Sequence, residues 1–252
     1  MPRMKRVTVS GAVLEQEIFN VAPNMKKLKD AEPIPLVERT AEQKEDYNQK
    51  QSLKRFIRTV NASFDPSAYY ATLTFDDIHL PQDFKEARRL LNNYIRRLQY
   101  KFPEMIAVAV MGRGKRNGRI HIHCIISGAD KKIIQQKWTQ GKIVRIEPLR
   151  KHNFYSGIDH GQDYTGLANY LFDHWTPEQG GHRWKKAGKL DKPDREPSTE
   201  VKRNYTENKP PRPPKGYILV ESKATKYGYL YYKYVRQPEP PKKARRKKAG
   251  SG

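Results

Sequence analysis

Two histidines separated by one residue, His121 and His123, stand in the apolar stretch GRIHIHCIIS, next to the basic run GRGKRN. Alternate side chains of a β-strand emerge on opposite faces, so both imidazoles should lie on one face, with Ile120, Ile122 and Cys124 on the other. Two imidazoles about 7 Å apart along a strand can converge on one divalent metal ion. The alternative is a pair of solvent-facing or core histidines that bind nothing.

A tyrosine in the later stretch GLANYLFDHW, Tyr170, would give such a metal site a reaction to perform. A tyrosine hydroxyl has a pKa of about 10, so it attacks phosphorus only where a metal and basic side chains favour the phenolate and neutralise the phosphate. Alternatively, Tyr170 is a packing residue together with Leu167, Leu171 and Phe172. The histidine pair and the tyrosine together favour the chemical interpretation.

Helix geometry supplies a candidate for a third metal ligand. Residues i and i+4 lie about 40° apart around a helix, so His174 should project beside Tyr170. Because a metal next to the attacked phosphate is also next to the nucleophile, His174 is the leading candidate, and a surface histidine is the alternative. Tyr164 should face away from Tyr170, which makes it a poor second nucleophile. Lesser ligand candidates at strand ends are Glu104, Asp76 and Asp77.

The elements that must position these residues alternate between strand and helix patterns. Strand patterns occur in YYATLTF, MIAVAVM, RIHIHCIISG and KIVRIEPL, and helix patterns in TAEQKEDYNQKQSLKRFIRTV, DFKEARRLLNNYIRRLQYKF, KKIIQQKW and DYTGLANYLFDHW. Thr40 and Gln43 predict a capping box, and Asp163 is a candidate N-cap. The order predicts an α+β fold of the split βαβ type: an antiparallel-rich sheet with the histidine strand central and helices packed on one face.

The ends of the chain differ in composition from the middle. We expect an N-terminal extension with a basic helix over residues 1–60 and the catalytic core over 61–192. A Pro-rich linker and a C-terminal β-hairpin follow over 193–236, and a disordered basic tail over 237–252.

Composition favours a nucleic-acid partner. The 252 residues include 50 Lys and Arg against 27 Asp and Glu, a formal net charge of +23, and such a surface displaces the counterions condensed on phosphate. Cys124 is the single cysteine, which excludes an intramolecular disulfide and a cysteine-based zinc site. No apolar run approaches the roughly 20 residues that span a bilayer. We therefore expect a cytoplasmic protein with no membrane partner.

Two basic segments are candidates for contacts with DNA. The hairpin loop beside the histidine strand contributes Arg113, Lys115, Arg116 and Arg119. The segment after the tyrosine helix contributes Arg183, Trp184, Lys185 and Lys186, where cations and an aromatic ring suit a single strand whose bases stack on rings. Solvated basic surface is the alternative for both.

The ordered motifs resemble those of a known family. His121-Ile122-His123 looks like the HUH motif of rolling-circle replication initiators (Rep proteins) of the HUH endonuclease superfamily, with YATLTF as the first motif and GLANYL as the tyrosine motif. The resemblance runs from about Arg6 to Val235. It implies that the two histidines and a further ligand hold Mg²⁺ or Mn²⁺ while Tyr170 nicks one DNA strand. A 5′-phosphotyrosine and a free 3′-OH result, and reversal rejoins the strand.

The resemblance also implies a bacterial host and a DNA partner: single-stranded or hairpin origin DNA of a plasmid, phage or integrative element. A polymerase would extend the 3′ end. The sequence lacks the pattern GxxxxGK[ST], so a host helicase would have to unwind the DNA.

Two positions depart from the family pattern. Gly112 stands where relatives commonly carry an acidic metal ligand, and Asp173 where they often carry a lysine. These departures keep a second interpretation open, a non-catalytic DNA-binding protein or repressor that retains the fold. A relaxase or a transposase of the same chemistry is a third interpretation.

Overall fold

The structure is a computed structural model that describes residues 2–21, 40–115, 117–176, 183–225 and 228–237. The described helices are α1 (Ala41–Ser63), α2 (Phe84–Lys101), α3 (Lys131–Lys137) and α4 (Thr165–Asp173). The described strands are β1 (Arg3–Ser10), β2 (Val13–Asn20), β3 (Tyr69–Thr74), β4 (Ile106–Arg113), β5 (Ile120–Ser127), β6 (Ile143–Pro148), β7 (Phe154–Tyr155), β8 (Ile158–Asp159), β9 (Lys185–Ala187), β10 (Asp194–Arg195), β11 (Thr199–Glu200), β12 (Tyr217–Ala224) and β13 (Leu230–Arg236).

A five-stranded antiparallel sheet carries the histidine strand at its centre. Its strand order is β6-β3-β5-β4-β9, so β5 pairs with β3 on one side and with β4 on the other. His121 lies opposite Thr74 and Gly112, and His123 lies opposite Thr72 and Val110. The predicted α+β class, the antiparallel sheet and the central position of the histidine strand are confirmed.

Helices cover both faces of this sheet. On one face, Ile120, Ile122 and Cys124 of β5 belong to an apolar core with α2 and α3, as strand alternation predicts. On the opposite face, which also carries His121 and His123, Phe56 and Val60 of α1 and the apolar side of α4 form a second core. The prediction of helices on one face only therefore holds for α2 and α3 but is wrong for α1 and α4. An apolar stripe shows that a helix packs on a sheet, but not on which face.

The N-terminal and C-terminal strands share a second antiparallel sheet. Its order is β10-β1-β2-β13-β12, and β11 also pairs with β1. Ile18, Tyr232 and Tyr234 are fully buried in its own small core, so these two C-terminal tyrosines are packing residues. The division into four segments stays a prediction, although the chain's two ends pair in one sheet.

The helix N-termini follow the sequence with one difference. The capping box of α1 is present, with reciprocal hydrogen bonds between Thr40 and Gln43. The residue that caps α4 is Tyr164, and the Asp163 carboxylate instead accepts from the backbone N–H of Thr165 at 3.0 Å. None of the described helices is long and apolar enough to cross a bilayer. The predicted basic tail lies outside the described residues beyond Gln237.

Candidate active site

Strand β5 presents its two histidines side by side in an open cleft of about 1060 Å³. Their ring centroids are 4.8 Å apart and their planes are nearly perpendicular. His123 is buried, and its Nδ1 lies 2.8 Å from the Tyr70 hydroxyl and 3.2 Å from the Thr72 hydroxyl, both on β3. Its Nε2 is buried without a hydrogen-bond partner among the described residues. A buried nitrogen without a hydrogen-bond partner either destabilises the folded protein or serves to bind a ligand.

Helix α4 brings Tyr170 and His174 to the same cleft. The Tyr170 ring centroid lies 5.6 Å from that of His123 and 4.2 Å from that of His174, and the His123 and His174 centroids are 4.6 Å apart. The helix is anchored where it ends, because the Thr176 hydroxyl accepts from the backbone N–H of Arg113 at 2.9 Å. One strand and one later helix therefore place three imidazoles and one phenol in a single pocket.

A hydrogen bond fixes the orientation of the His174 ring. Its Nδ1 lies 2.7 Å from the backbone carbonyl oxygen of Tyr170, one turn earlier. A carbonyl can only accept, so Nδ1 carries a proton, and in the neutral ring the lone pair is on Nε2. This is how proteins commonly orient a metal-binding histidine.

Gly112, where the resemblance leads us to expect an acidic ligand, leaves no room for a side chain. A Cβ atom built on Gly112 would lie 1.8 Å from the carbonyl oxygen of His174. No side chain fits there, because the backbone at the end of α4 occupies the space. The space beside position 112 is thus filled by the segment that carries His174.

The protonation states suit metal binding. Burial, with the neighbouring His121 and His174 rings adding to it, lowers the pKa of His123 to about 3. Burial likewise lowers the pKa of His121. Both rings are therefore neutral at physiological pH, and the neutral imidazole is the form that binds metal.

The three imidazoles are close but are not arranged as a finished coordination sphere. Within the described ranges, no three His, Cys, Asp or Glu side chains already have metal-binding geometry. Asp76 and Asp77 line the cleft, but they pair with His79 at 2.7 Å and Arg119 at 2.5 Å. Glu104 is exposed before β4, at the end of the strand that lies away from the histidines.

The basic loop borders the histidine cleft. Arg113, Lys115 and Arg119 line it, together with Lys142, a cation that the sequence analysis did not single out. Arg119 is anchored, because it donates to Asp77 and also to the backbone oxygen of Phe75 at 2.8 Å. Arg116 lies outside the described residues.

The second basic segment lies elsewhere. Arg183, Trp184, Lys185 and Lys186 line a separate cleft of about 760 Å³ that meets the histidine cleft at Trp175 and Thr176. The Trp184 ring packs 5.1 Å from Phe56, and the Arg183 guanidinium lies 4.5 Å from the centre of the Trp175 ring. The two lysines are exposed on the edge strand β9.

Sequence reasoning missed the supports of the site. Tyr70 and Thr72 form hydrogen bonds with His123, and the missing side chain of Gly112 leaves room for the backbone of His174. A signal for the first two exists in YYATLT, whose alternation places Tyr70, Thr72 and Thr74 on one face. The role of Gly112 depends on a contact between distant segments, which no local pattern reports.

A family model matches the part of the chain that forms the site. The family model of replication-associated protein ORF2/G2P matches residues 68–177. No curated protein and no solved structure matches the chain. The matched segment begins just before β3 and ends just after α4, so it contains the histidines and Tyr170. The expected resemblance to rolling-circle replication initiators is confirmed over this segment.

Proposed function

We propose that this chain, whose residues 68–177 match the family model of replication-associated protein ORF2/G2P, initiates rolling-circle replication by nicking and rejoining one DNA strand through Tyr170. The observation that carries the proposal is the meeting of the Tyr170 ring with the His123 and His174 rings, at 5.6 and 4.2 Å, in a cleft bordered by cations.

Tyr170 is the phenol that a DNA phosphate can reach. It is 43% exposed, whereas Tyr70 and Tyr164 are 5% and 2% exposed. The Tyr70 hydroxyl is engaged with His123, and burial raises the pKa of Tyr70. The Tyr164 hydroxyl donates to the backbone oxygen of Arg150 at 3.2 Å. Of these three tyrosines only Tyr170 is exposed, and it also lines the histidine cleft, which makes it the candidate nucleophile.

The reaction is a transesterification at phosphorus. The Tyr170 oxygen loses its proton and bonds to phosphorus, the P–O3′ bond breaks, and the leaving 3′ oxygen takes up a proton. The products are a 5′-phosphotyrosine and a free 3′-OH that a polymerase can extend. In rejoining, a 3′-OH attacks the same phosphorus and Tyr170 leaves. Arg113, Lys115 and Lys142 lie where they can neutralise the phosphate oxygens.

The residues that would hold Mg²⁺ or Mn²⁺ are His121, His123 and His174. The Nε2 of His123, which has no hydrogen-bond partner in the described part of the chain, and the oriented ring of His174 fit such a role. When bound, the ion would polarise the phosphate and favour the phenolate. Three imidazoles suit Mn²⁺ better than Mg²⁺, which prefers oxygen ligands.

A non-catalytic DNA-binding protein is the second candidate function. Asp173 is exposed at the cleft, at a position where relatives often carry a lysine. Its carboxylate would repel a phosphate, which favours this second candidate. A relaxase or a transposase would use the same chemistry on another substrate. In all these cases DNA is the partner, and the host would supply helicase and polymerase.

The test uses a pool of random single-stranded oligonucleotides, so that the unknown origin sequence is represented. We expect SDS-resistant protein–DNA adducts with Mn²⁺ that are lost with EDTA and in Tyr170→Phe, because the phenol carries the bond. Tyr100→Phe, at an exposed tyrosine of α2, should retain them. Adducts that persist in Tyr170→Phe would refute the nucleophile. Wild-type protein that binds the pool without adducts would favour the second candidate.

A second prediction concerns the third imidazole. His174→Ala should weaken Mn²⁺ binding about 10-fold or more, because one ligand is lost. Titration calorimetry or the electron paramagnetic resonance signal of free Mn²⁺ measures the affinity. His152→Ala is the matched control, since His152 is exposed and pairs with Asp159 away from the cleft. Unchanged affinity in His174→Ala would dismiss His174 as a ligand.

A further inference from the structure

A second groove begins on the other side of Tyr170. It has a volume of about 730 Å³ and shares Tyr170 with the histidine cleft. Its walls are β6 with the loop that follows, the β7–β8 hairpin, the first turns of α4, and part of the β12–β13 pair. Tyr170 therefore stands at the junction of two grooves, and a strand whose phosphate lies at Tyr170 can extend into both.

Two exposed aromatic rings distinguish this groove, which we call the aromatic groove. Phe154 and Tyr155 are consecutive residues of β7 and are 69% and 67% exposed. Nucleobases stack on exposed aromatic rings regardless of sequence, because every base has a π-face. The sequence analysis assigned no role to either residue.

The hairpin that carries these rings is well defined. Ser156 and Gly157 both have positive φ, at +48° and +79°, as a tight two-residue β-turn requires. At its base, the Asn153 side chain donates to the backbone oxygen of Gly161 at 2.7 Å, and the backbone N–H of His160 donates to Asn153 at 2.7 Å. Phe154 and Tyr155 are thus presented by a hydrogen-bonded support.

The hairpin lies against the tyrosine helix. A Cβ atom on Gly166, in the first turn of α4, would be 3.9 Å from the Tyr155 ring, so this ring lies over the start of the helix that carries Tyr170. A base stacked here would be held close to the phosphate that Tyr170 attacks.

The polar groups of the groove suit a nucleic-acid strand. Arg145 lies 5.5 Å above the Tyr70 ring, next to the junction, and Arg150 is exposed on the wall. The amides of Asn153 and Asn169 can meet base edges. The carboxylates of Glu147 and Glu221, which also line the groove, are paired with Arg145 and Lys223.

We propose that the aromatic groove is a subsite for unpaired nucleotides next to the scissile phosphate. Their bases stack on Phe154 and Tyr155, and their backbone passes Arg145 and Arg150. The proposal rests on the proposed function only in naming the phosphate at Tyr170 as the point from which the strand enters. Single-stranded DNA is the occupant, because rings, cations and amides line one groove that opens onto the nucleophile.

The test measures binding without catalysis. Full-length protein carrying Tyr170→Phe is titrated in EDTA against a fluorescein-labelled oligothymidylate of about 20 nucleotides, long enough to cover several nucleotide subsites. Adding Phe154→Ala and Tyr155→Ala together should weaken binding about 10-fold or more, the loss expected when stacked bases lose their rings. Adding Phe154→Tyr and Tyr155→Phe instead should retain the affinity, because the rings remain.

The matched control is Tyr100→Ala. Tyr100 is 94% exposed on α2, which packs on the opposite face of the sheet, so its removal should leave the affinity unchanged. Binding of a blunt duplex should change little in the double-alanine variant. Wild-type affinity for oligothymidylate in that variant, or an equal loss on the duplex, would overturn the proposal.

Photocrosslinking gives an independent measurement. Oligothymidylate with single 5-iododeoxyuridine substitutions should crosslink to the peptide containing Phe154 and Tyr155, and mass spectrometry identifies that peptide. Crosslinks confined to other peptides would contradict the assignment. Because neither measurement needs a nick, failure of the aromatic groove and failure of the Tyr170 chemistry are distinguishable.

Discussion

At the scale of single residues, the candidate site depends on the missing side chain at position 112. A Cβ atom there would lie 1.8 Å from the backbone carbonyl oxygen of His174, so any side chain at position 112 is incompatible with the present path of the chain at the end of α4. The absence of a side chain at position 112 and the position of His174 beside His121 are therefore one structural feature. Gly112 is thus compatible with a site that binds metal.

A methyl group added at position 112 should disturb the candidate metal site. Gly112→Ala should displace the end of α4 and weaken Mn²⁺ binding about 10-fold or more, since His174 moves away. Gly166→Ala is the control, because the nearest atom to a Cβ there is 3.9 Å away. Calorimetry measures the Mn²⁺ affinity of both folded variants. Wild-type affinity in Gly112→Ala would contradict the dependence of His174 on Gly112.

Residue types and their spacing predict much of this site. The alternation of β5 places His121 and His123 together, and the i to i+4 spacing places His174 beside Tyr170. What the sequence could not give is the distance between strand and helix, which depends on Gly112. The hydrogen bond between Tyr70 and His123 was also not predictable, since a tyrosine in an apolar strand has the same sequence pattern as a packing residue.

At the scale of elements, the tyrosine helix is held by an ion pair from the second sheet. Lys233 of β13 lies 2.6 Å from the carboxylate of Asp163, just before α4, and donates to the Thr165 hydroxyl at 2.8 Å. Both members of the pair are buried. Burial opposes the ionisation of Asp163, but Lys233 and Thr165 together hold its pKa below the usual value.

We predict that Lys233→Met lowers the free energy of unfolding by about 3–5 kcal/mol at pH 7, because a buried carboxylate loses its partner. Lys50→Met, which removes an exposed ion pair with Asp46, is the control and should change little. Urea unfolding measures both variants.

The pH dependence of this effect has a definite sign. Since folding lowers the pKa of Asp163, its contribution is full above the ordinary aspartate pKa and is lost as the pH falls through the folded-state pKa. The difference between wild type and Lys233→Met should therefore shrink on acidification. A difference that is small at pH 7, or that grows in acid, would contradict the role of the pair.

Helices and strands were predictable because their apolar periodicities are strong. The stripe of α2, with Leu91, Tyr94 and Leu98 buried, is an example. The placement of α1 and α4 on the histidine face was not predictable, because it depends on contacts between segments far apart in sequence, such as Phe56 with Phe172 at 6.1 Å.

At the scale of the whole molecule, the second sheet joins the two ends of the chain and supports the first. Strand β2 pairs with β13, and its Glu15 forms a buried ion pair at 2.5 Å with Arg58 of α1. Through α1 and Lys233, this sheet contacts both helices that pack on the histidine face. The site therefore depends on segments outside the matched residues 68–177.

The identity of the tyrosine that becomes linked to DNA decides whether Tyr170 is the nucleophile. Wild-type protein is incubated with Mn²⁺ and the random oligonucleotide pool, the adducts are digested with nuclease and protease, and tandem mass spectrometry locates the residual nucleotide. We expect a phosphodiester on Tyr170. A nucleotide on another tyrosine would contradict it, and so would DNA-binding protein whose recovered Tyr170 is never modified.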